Sequence, residues 1–387
     1  KANMDGRKAT IEAGKDFLMK YAACAEAKEL VDYVKQYLPG METKFIADKK
    51  KAEQLGLYTR FDTSVKSSNF ADTYVSGKEI LAKEPDQLDV MIVLGSIGYD
   101  EAFAGRNQFN DDTLRYAKQA IAAIEGGKTT PKFGLLRFTY NTKENALGWL
   151  NYTIGYLTHV AQKNKKDALP YLYKATLVTS DTKKNPIPYE LIGAYYFDEL
   201  NKITEEIKVL AADQKDTDTA EVAKQKVDTI KAKVALANGL AERAMDAFSR
   251  AYSLTDSTPK AAVYKAKMKK NVQDAYKLRF AKEDGVDAWI ASAMTKPMPD
   301  PMSPVTPISD PEPVVTSTGG TALGVGTGSG VGRANGTGTG TANGAGVGNA
   351  NGTGVGGAKP SSTTPAKPTA APAKPVGAAR VTRPRTN

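Results

Sequence analysis

The chain has 387 residues, 41% of them hydrophobic, and a net charge of +10, which is enough material for one large domain or two. Its single cysteine and single histidine exclude an internal disulfide and leave too few ligands for a zinc site. The sequence contains no run of 18 apolar residues, and this excludes a transmembrane helix.

The composition divides the chain near Pro297. Thirteen of the 20 prolines lie at or after this residue, and no aromatic residue follows Trp289. We therefore predict a helical domain over residues 1–296 and a C-terminal tail that cannot form a core alone. The domain carries a net charge of +6 and the tail +4, a mild excess that permits an acidic partner without requiring one.

Apolar residues in the first domain recur at three- and four-residue spacing, which indicates amphipathic helices. Turn residues such as Pro39-Gly40 and Asn185-Pro186 separate many of these segments. The predicted helices are 8–38, 41–63, 66–83, 87–105, 109–126, 142–163, 165–179, 187–212, 218–253, 259–282 and 284–295. Only "PKFGLLRFTY" (131–140) has a pattern compatible with extended structure, and we expect a loop there.

Candidates for chemistry are few. Cys24 lies among small residues on a helical pattern, so we expect a buried, inert thiol, with a nucleophile or an intermolecular disulfide as alternatives. His159 lies beside apolar positions of a predicted helix, which favours a structural role. Asp216 and Asp218 have the alternate spacing of a calcium loop but lack its glycine and terminal glutamate, so a solvated turn with a helix N-cap is expected.

Several helices carry a pattern that favours close packing against a neighbour. In Tyr189-x-x-Ile192-Gly193-x-x-Tyr196 the glycine admits a second helix and the large residues fill the groove around it. Partial copies of the pattern occur in predicted helices 87–105 and 142–163, and a partner-helix pattern occurs in 218–253. The predicted repeat-packing residues are Leu94, Gly95, Ile154, Gly155, Tyr189, Ile192, Gly193, Tyr196, Ala244, Phe248 and Ala251.

These patterns resemble the tetratricopeptide repeat, a family of helix pairs. The resemblance covers about residues 8–256 and implies an all-α solenoid of roughly four degenerate antiparallel pairs, with capping helices at 259–295. The stretch 9–34 resembles the second helix of a repeat whose first helix is missing. An apolar face at the N-terminal end is then left uncovered, ready for another chain to dock.

The end of the helical domain, residues 264–301, resembles uncharacterised exported repeat proteins of soil and hot-spring bacteria, acidobacteria among them. That resemblance implies export and no particular activity. The sequence begins at Lys1, without a methionine, which is typical of a processed exported protein or of a trimmed chain. We therefore expect an extracytoplasmic protein that is secreted or held at the cell surface.

The tail combines a Pro-rich spacer (297–318), a Gly-rich segment (319–357) and a basic Pro/Ala/Lys-rich end (358–387). Proline runs favour a stiff, extended spacer. In the Gly-rich segment glycine or alanine occupies every even position from 324 to 356, with Thr, Val and Asn at most odd positions. The defining residues are Gly324, Gly332, Ala334, Asn335, Ala342, Asn343, Ala350, Asn351 and Gly356.

A period of two residues is the period of a β-strand, and the recurring Asn-Gly pairs favour tight turns. Such a strand buries too little side chain to be stable alone. Two interpretations stay open for the segment: a flexible tether, or an assembly tail that pairs with neighbouring copies. Asn151, Asn335 and Asn351 also fit the acceptor pattern for N-linked glycans.

The sequence predicts no catalytic residue, cofactor or metal. We expect a non-enzymatic structural protein that associates with itself through its helical body and tail into an extracellular fibre or surface assembly. The alternative is an envelope-tethered adaptor with a concave groove lined by Tyr152, Tyr156, Tyr195 and Tyr196. Expected partners are copies of the same chain, with other envelope proteins or glycans as further candidates. Nucleic acid is not expected, because the tail lacks aromatic residues for base stacking.

Overall fold

Residues 2–310 are described by a computed structural model, and they form eleven α-helices. The helices are α1 (Ala2–Tyr21), α2 (Lys28–Ser67), α3 (Phe70–Lys83), α4 (Leu88–Phe103), α5 (Asn110–Glu125), α6 (Lys143–Tyr156), α7 (Lys165–Leu177), α8 (Pro186–Ala212), α9 (Ala220–Leu254), α10 (Ala262–Phe280) and α11 (Val286–Ala293). A π-helical turn, Leu157–Ala161, continues α6. Consecutive helices pack against each other, notably α1 on α2, α4 on α5, α6 on α7 and α9 on α10. The predicted all-α class is confirmed.

The described residues belong to two compact units. The first comprises residues 2–192 and 300–302, and the second comprises 193–299 and 303–310. In the first unit, the end of α2 meets α3 and α4 in a core that contains Phe61, Tyr74 and Leu94. Tyr74 closes this core by donating to the carbonyl of Leu94 at 2.8 Å.

The second unit has a core between α9, α10 and α11. Ala244 and Phe248 of α9 are buried with Met268 and Val272 of α10 and with Ile290 of α11. Both α10 and α11 pack on α9, in the region where the sequence predicts capping helices.

Side-chain caps explain where several helices begin. Thr142 accepts a hydrogen bond from the Asn145 amide at 3.1 Å, at the start of α6. Asn69, Asn164 and Thr219 cap α3, α7 and α9 in the same way. Each cap satisfies one of the free amides that a helix leaves at its N-terminus, and this typically stabilises the helix by ~1 kcal/mol.

The segment 131–140 is a loop, as expected. It contains one isolated antiparallel bridge, in which Tyr140 donates to the carbonyl of Phe133 at 2.7 Å and accepts from the Phe133 amide at 3.2 Å. The described part of the chain contains no longer β-structure than this bridge.

Two predicted boundaries at the start of the chain are wrong. The predicted helix 8–38 is interrupted at residues 22–27, whereas α2 continues through Pro39 and Gly40, where a turn was expected. Proline inside a helix typically costs ~3 kcal/mol. Packing of Leu38 against α1, just before the proline, keeps the helix continuous.

Cys24 lies in the turn that interrupts the predicted helix. The expectation that it is buried is wrong. Its side chain is partly exposed, and Sγ donates to the carboxylate of Glu26 at 3.1 Å. The backbone at Cys24 is extended, with φ −80° and ψ 117°. Helix α1 therefore ends at this turn and the chain reverses direction into α2.

Candidate interaction surfaces

Helix α1 and the first part of α2 form an antiparallel hairpin, called arm 1 here (residues 2–56). Arg7 pairs with Asp48, and Lys15 pairs with Glu42 at 2.6 Å. Gly14 packs against Leu38, so that an added Cβ would lie 3.1 Å from Leu38 Cδ1. These contacts place the start of α1 beside the middle of α2, as an antiparallel hairpin requires.

Arm 1 buries little of its own surface. Among residues 3–56 only Ile11, Val31 and Leu38 are buried, and all three lie near the contact between the two helices. From Leu57 onward α2 enters the first core, through Leu57, Phe61 and Val65. The arm is thus a two-helix element with most of its faces open.

One open face of arm 1 is apolar. Leu30, Tyr33, Tyr37 and Met41 are 53%, 58%, 50% and 41% exposed. Their spacing of three, four and four residues places them on one side of α2, next to the face that contacts α1. The rings of Tyr33 and Tyr37 lie 4.5 Å apart. We call these four residues the aromatic stripe.

The aromatic stripe consists of two tyrosines and two aliphatic side chains, each at least 41% exposed. Tyrosine is among the residues that dominate protein interfaces, because it buries much area and loses little conformational entropy. A helix that presents a row of such side chains at i, i+3 and i+7 has the pattern used to bind another helix. Arm 1 therefore has the surface chemistry of an interaction site.

A second hairpin, called arm 2 here (residues 201–234), is formed by the end of α8 and the start of α9. Every residue of arm 2 is exposed or half-buried. Lys233 pairs with Glu206 at 2.6 Å, and Lys226 contacts both Asp213 and Asp218 at 3.0 Å. The apolar side chains between the two helices are only half-buried. Arm 2 is therefore held together mainly by contacts between its own two helices.

Residues 303–310, called the strap here, run antiparallel along α9 within the second unit. The Ile308 amide donates to the Ala235 carbonyl at 2.8 Å, and Arg243 donates to Ser303 Oγ at 2.9 Å. Gly239 makes this approach possible, because an added Cβ would lie 2.3 Å from the Thr306 carbonyl oxygen. The first part of the predicted Pro-rich spacer is therefore bound to the helical body.

A shallow groove lies between α3, α4 and α5 in the first unit. Leu81, Pro85 and Met91 supply apolar surface, while Lys78 and Arg115 stand at the rim. Both cations contact Asp112, at 2.7 and 2.6 Å. The groove thus offers a ligand mainly apolar contact.

The predicted repeat-packing residues are all buried, and their glycines lie at close helix contacts. An added Cβ at Gly95 would lie 2.6 Å from the Ala117 amide nitrogen, which joins α4 to α5. At Gly155 it would lie 2.7 Å from the Leu172 side chain, between α6 and α7, and at Gly193 2.8 Å from Phe248. Three successive helix pairs therefore use glycine in the same way.

The remaining candidate residues from the sequence are buried in the fold, lie in turns or take part in ion pairs and helix caps. His159 is buried in the π-helical turn after α6. Thr219 caps α9 after the turn that contains Asp216, and Asp213 and Asp218 bind Lys226. Within residues 2–310, no three His, Cys, Asp or Glu side chains are grouped so that they could hold a metal ion.

The tyrosines proposed to line a concave groove are mostly core residues. Tyr152, Tyr156 and Tyr196 are buried, and Tyr195 is half-buried. Tyr152 and Tyr99 share a hydrogen bond between their hydroxyls at 3.1 Å. The alternative of a tyrosine-lined binding groove therefore loses the residues that suggested it.

Of the three glycan acceptor candidates, Asn151 lies in the described residues. It is 2% exposed, and its Nδ2 donates to the Leu147 carbonyl at 2.8 Å. The folded body has no room for a glycan at this position. Asn335 and Asn351, like all the assembly-tail positions, lie outside the described residues.

Comparison of the chain with protein-family models, with curated proteins and with solved structures found no match. Among the helices of residues 2–310, none combines the length and the apolar character needed to cross a bilayer.

The aromatic stripe is the feature that sequence reasoning missed. An uncovered apolar face at the N-terminal end was expected, but its residues were not identified. The signal is present in the sequence as two rows of apolar residues. One row is the aromatic stripe, and the other, Val31, Val34 and Leu38, is offset from it by one position. Treating 8–38 as one helix hid this pattern, because the partner helix was not recognised as α1.

Proposed function

We propose that this chain is a non-enzymatic structural protein that associates with copies of itself, through its helical body and its C-terminal tail, into an extracellular fibre or surface assembly. In this proposal the body is a tetratricopeptide-repeat-like solenoid of an exported bacterial protein. Other envelope proteins or glycans are further partners of the assembly.

The observation that carries this proposal is the aromatic stripe on arm 1. Isolated exposed apolar residues are ordinary, but a contiguous row of them on an otherwise solvated hairpin is typical of a surface that another chain covers. The near balance of charge on arm 1 supports a copy of the same chain as that partner. Residues 2–56 carry ten Lys/Arg and nine Asp/Glu, and so they do not repel their own copies.

The proposal is tested by comparing two charge-matched double variants of the full chain. Tyr33→Glu with Tyr37→Glu places two carboxylates in the aromatic stripe, where pairing would desolvate them. Gln36→Glu with Thr43→Glu adds the same charge to exposed positions on another side of α2. Sedimentation velocity and negative-stain microscopy then follow assembly against concentration.

We expect the stripe variant to raise the concentration needed for assembly at least ~tenfold, equivalent to ~1.4 kcal/mol. The control variant is expected to change it less than about twofold. A wild-type protein that stays monomeric at high concentration would contradict self-assembly. Equal effects of both variants would mean that the aromatic stripe has no specific role in self-assembly.

The groove between α3, α4 and α5 favours the second candidate function, a tethered adaptor that binds a partner peptide. Its apolar floor is suited to an apolar side chain of such a peptide. Leu81→Glu in the full chain separates the two functions. Under the adaptor proposal it abolishes peptide capture and leaves self-assembly unchanged, because Leu81 lies on α3 in the groove and is not one of the aromatic-stripe residues of α2.

A further inference from the structure

The aromatic stripe is complementary to itself. Its residues are spaced almost symmetrically about position 35, with Tyr33 and Tyr37 close to the centre and Leu30 and Met41 further out. If a second α2 is turned end over end about this position, Tyr33 meets Tyr37 of the second copy. In the same register, Leu30 meets Met41.

The charges at the two ends of the stripe match in the same register. Glu26 lies four residues before Leu30, Lys44 lies three residues after Met41, and both are exposed. A hydrogen bond from Cys24 Sγ holds the pKa of Glu26 below its usual value. Antiparallel pairing places each Glu26 near Lys44 of the other copy, whereas parallel pairing sets like charges together.

The length of arm 1 leaves room for antiparallel pairing. In this register the turn at 22–27 lies opposite about residues 43–48 of the second copy. Since α2 enters the first core at Leu57, the turn stops about nine residues short of that core, or roughly 13 Å. Parallel pairing would instead bring the two cores of the first unit side by side.

We propose that α2 is a homodimerisation helix, in which two copies pair antiparallel through their aromatic stripes with Tyr33 against Tyr37. This inference rests on the proposed self-association and specifies its geometry. The four half-exposed side chains offer roughly 400 Å² per copy. A standard interface buries ~800 Å² per partner, so this contact is expected to be weak and reversible.

Cysteine cross-linking of the full chain tests the register. Two proteins are made in a Cys24→Ser background, one with Leu30→Cys and one with Met41→Cys, each with a different tag. Antiparallel pairing brings the two new thiols together only when the proteins are mixed, since two copies of the same variant hold them roughly 16 Å apart along the helix. Gln36→Cys, on another side of α2, is the control for random collisions.

We expect oxidation of the mixture to give at least ~tenfold more cross-linked dimer than either protein alone or the control. Cross-linking of the Leu30→Cys protein with itself would mean parallel pairing and would overturn the inference. A mixture that stays uncross-linked while the chain still assembles would also overturn it and leave the proposed function standing. A wild-type chain that shows no assembly at all would contradict both this inference and the proposed function.

A charge exchange gives a second test, in which restoration of the yield by a second change separates lost pairing from misfolding. Lys44→Glu is expected to lower the yield of the mixed cross-link at least ~threefold at low salt, because it faces Glu26 of the other copy. Adding Glu26→Lys restores opposite charges across the pair and returns the yield. Failure of the second change to restore the yield would overturn the register.

Discussion

At the scale of single residues, the second unit contains a buried ion pair inside α9. The side chains of Asp246 and Arg250 are 4% and 8% exposed, and the guanidinium donates to both carboxylate oxygens, at 2.8 and 3.2 Å. Arg250 also donates to the Lys296 carbonyl at 2.8 Å. One side chain thus ties the end of the helical body to its central helix.

Removing one partner of this buried pair is expected to be costly. Asp246→Ala leaves Arg250 charged and buried, which typically destabilises a protein by about 3–5 kcal/mol. The matched control is Asp274→Ala, which breaks an exposed pair with Lys270 at the same spacing and should cost less than ~1 kcal/mol. Urea unfolding followed by circular dichroism measures both, and similar losses in the two variants would contradict the argument.

Buried tyrosines are expected to make the stability of the first unit depend on pH in the alkaline range. Burial raises the pKa of Tyr152, and it raises the pKa of Tyr156 as well. The folded chain therefore keeps these phenols protonated after an unfolded chain, with a tyrosine pKa of ~10, has released its protons. The contribution of these phenols to the free energy of unfolding is fully present below about pH 10 and is lost as the pH rises further.

We expect cooperative loss of helical signal above about pH 10, together with tyrosinate absorbance. Tyr152→Phe removes one of the titrating groups and should move this transition to higher pH. At neutral pH it should cost ~1 kcal/mol through the lost bond to Tyr99. The exposed Tyr33→Phe is the control and should leave the transition in place; an equal shift in both variants would contradict the burial argument.

At the scale of elements, the strap shows how a helix receives an irregular segment. Gly239 removes the one Cβ that would collide with the strap backbone, and Asn238 donates to the Ile308 carbonyl at 3.0 Å. The strap thereby satisfies backbone groups that would otherwise need water. Residues 303–310 are thereby held against α9 within the second unit.

Gly239→Ala is expected to release the strap while leaving α9 intact. Alanine stabilises a helix interior by about 0.5–1 kcal/mol relative to glycine, so the body itself should not lose stability. Hydrogen exchange at the Ile308 amide should accelerate at least ~tenfold, because its bond to Ala235 is lost. Gly56→Ala, at a helical position with open space around it, is the control and should leave Ile308 protected.

The two arms should open more readily than the helices that continue them. Arm 2 contains no buried side chain in its described residues 201–234, whereas buried side chains recur along α9 from Ala235 to Ala251. We expect amides in 222–232 to exchange at least ~100-fold faster than those in 240–251 of the same helix. Uniform protection along α9 would show that another chain covers arm 2 under those conditions.

At the scale of the whole molecule, an antiparallel pair of stripes closes on two copies and cannot grow further. A fibre therefore needs a second and different contact, and in the proposed function the tail supplies it. Two weak contacts on one chain also reinforce each other through effective concentration. We therefore expect the stripe and the tail to have separable effects on assembly.

Deleting residues 317–387 should stop assembly at a reversible dimer. Combining this deletion with Tyr33→Glu and Tyr37→Glu should give a monomer, because both proposed contacts are then removed. Sedimentation velocity over a hundredfold range of concentration distinguishes these species. Fibres formed by the tail-deleted protein would mean that the helical body carries both contacts by itself.

Most helix positions follow from the sequence, because apolar periodicity and capping residues are local. From α3 onward, predicted and observed helices differ by only a few residues at either end, except that α6 ends at Tyr156 and passes into a π-helical turn, whereas the predicted helix continues to residue 163. Gly95, Gly155 and Gly193 each lie at a close contact between helices. The strap could not be predicted in this way, because its contact with Gly239 joins residues more than 60 positions apart.

By itself the sequence determined the all-helical class and the order of the helices, since these depend on short-range spacing. Only the tertiary structure decided that the Ala-rich stretch 22–27 turns and that Pro39 lies inside a helix. The stretch contains good helix formers, and it is the packing of α1 against α2 that makes reversal favourable there. The same packing covers one apolar row of α2 and leaves the other, the aromatic stripe, open to a partner.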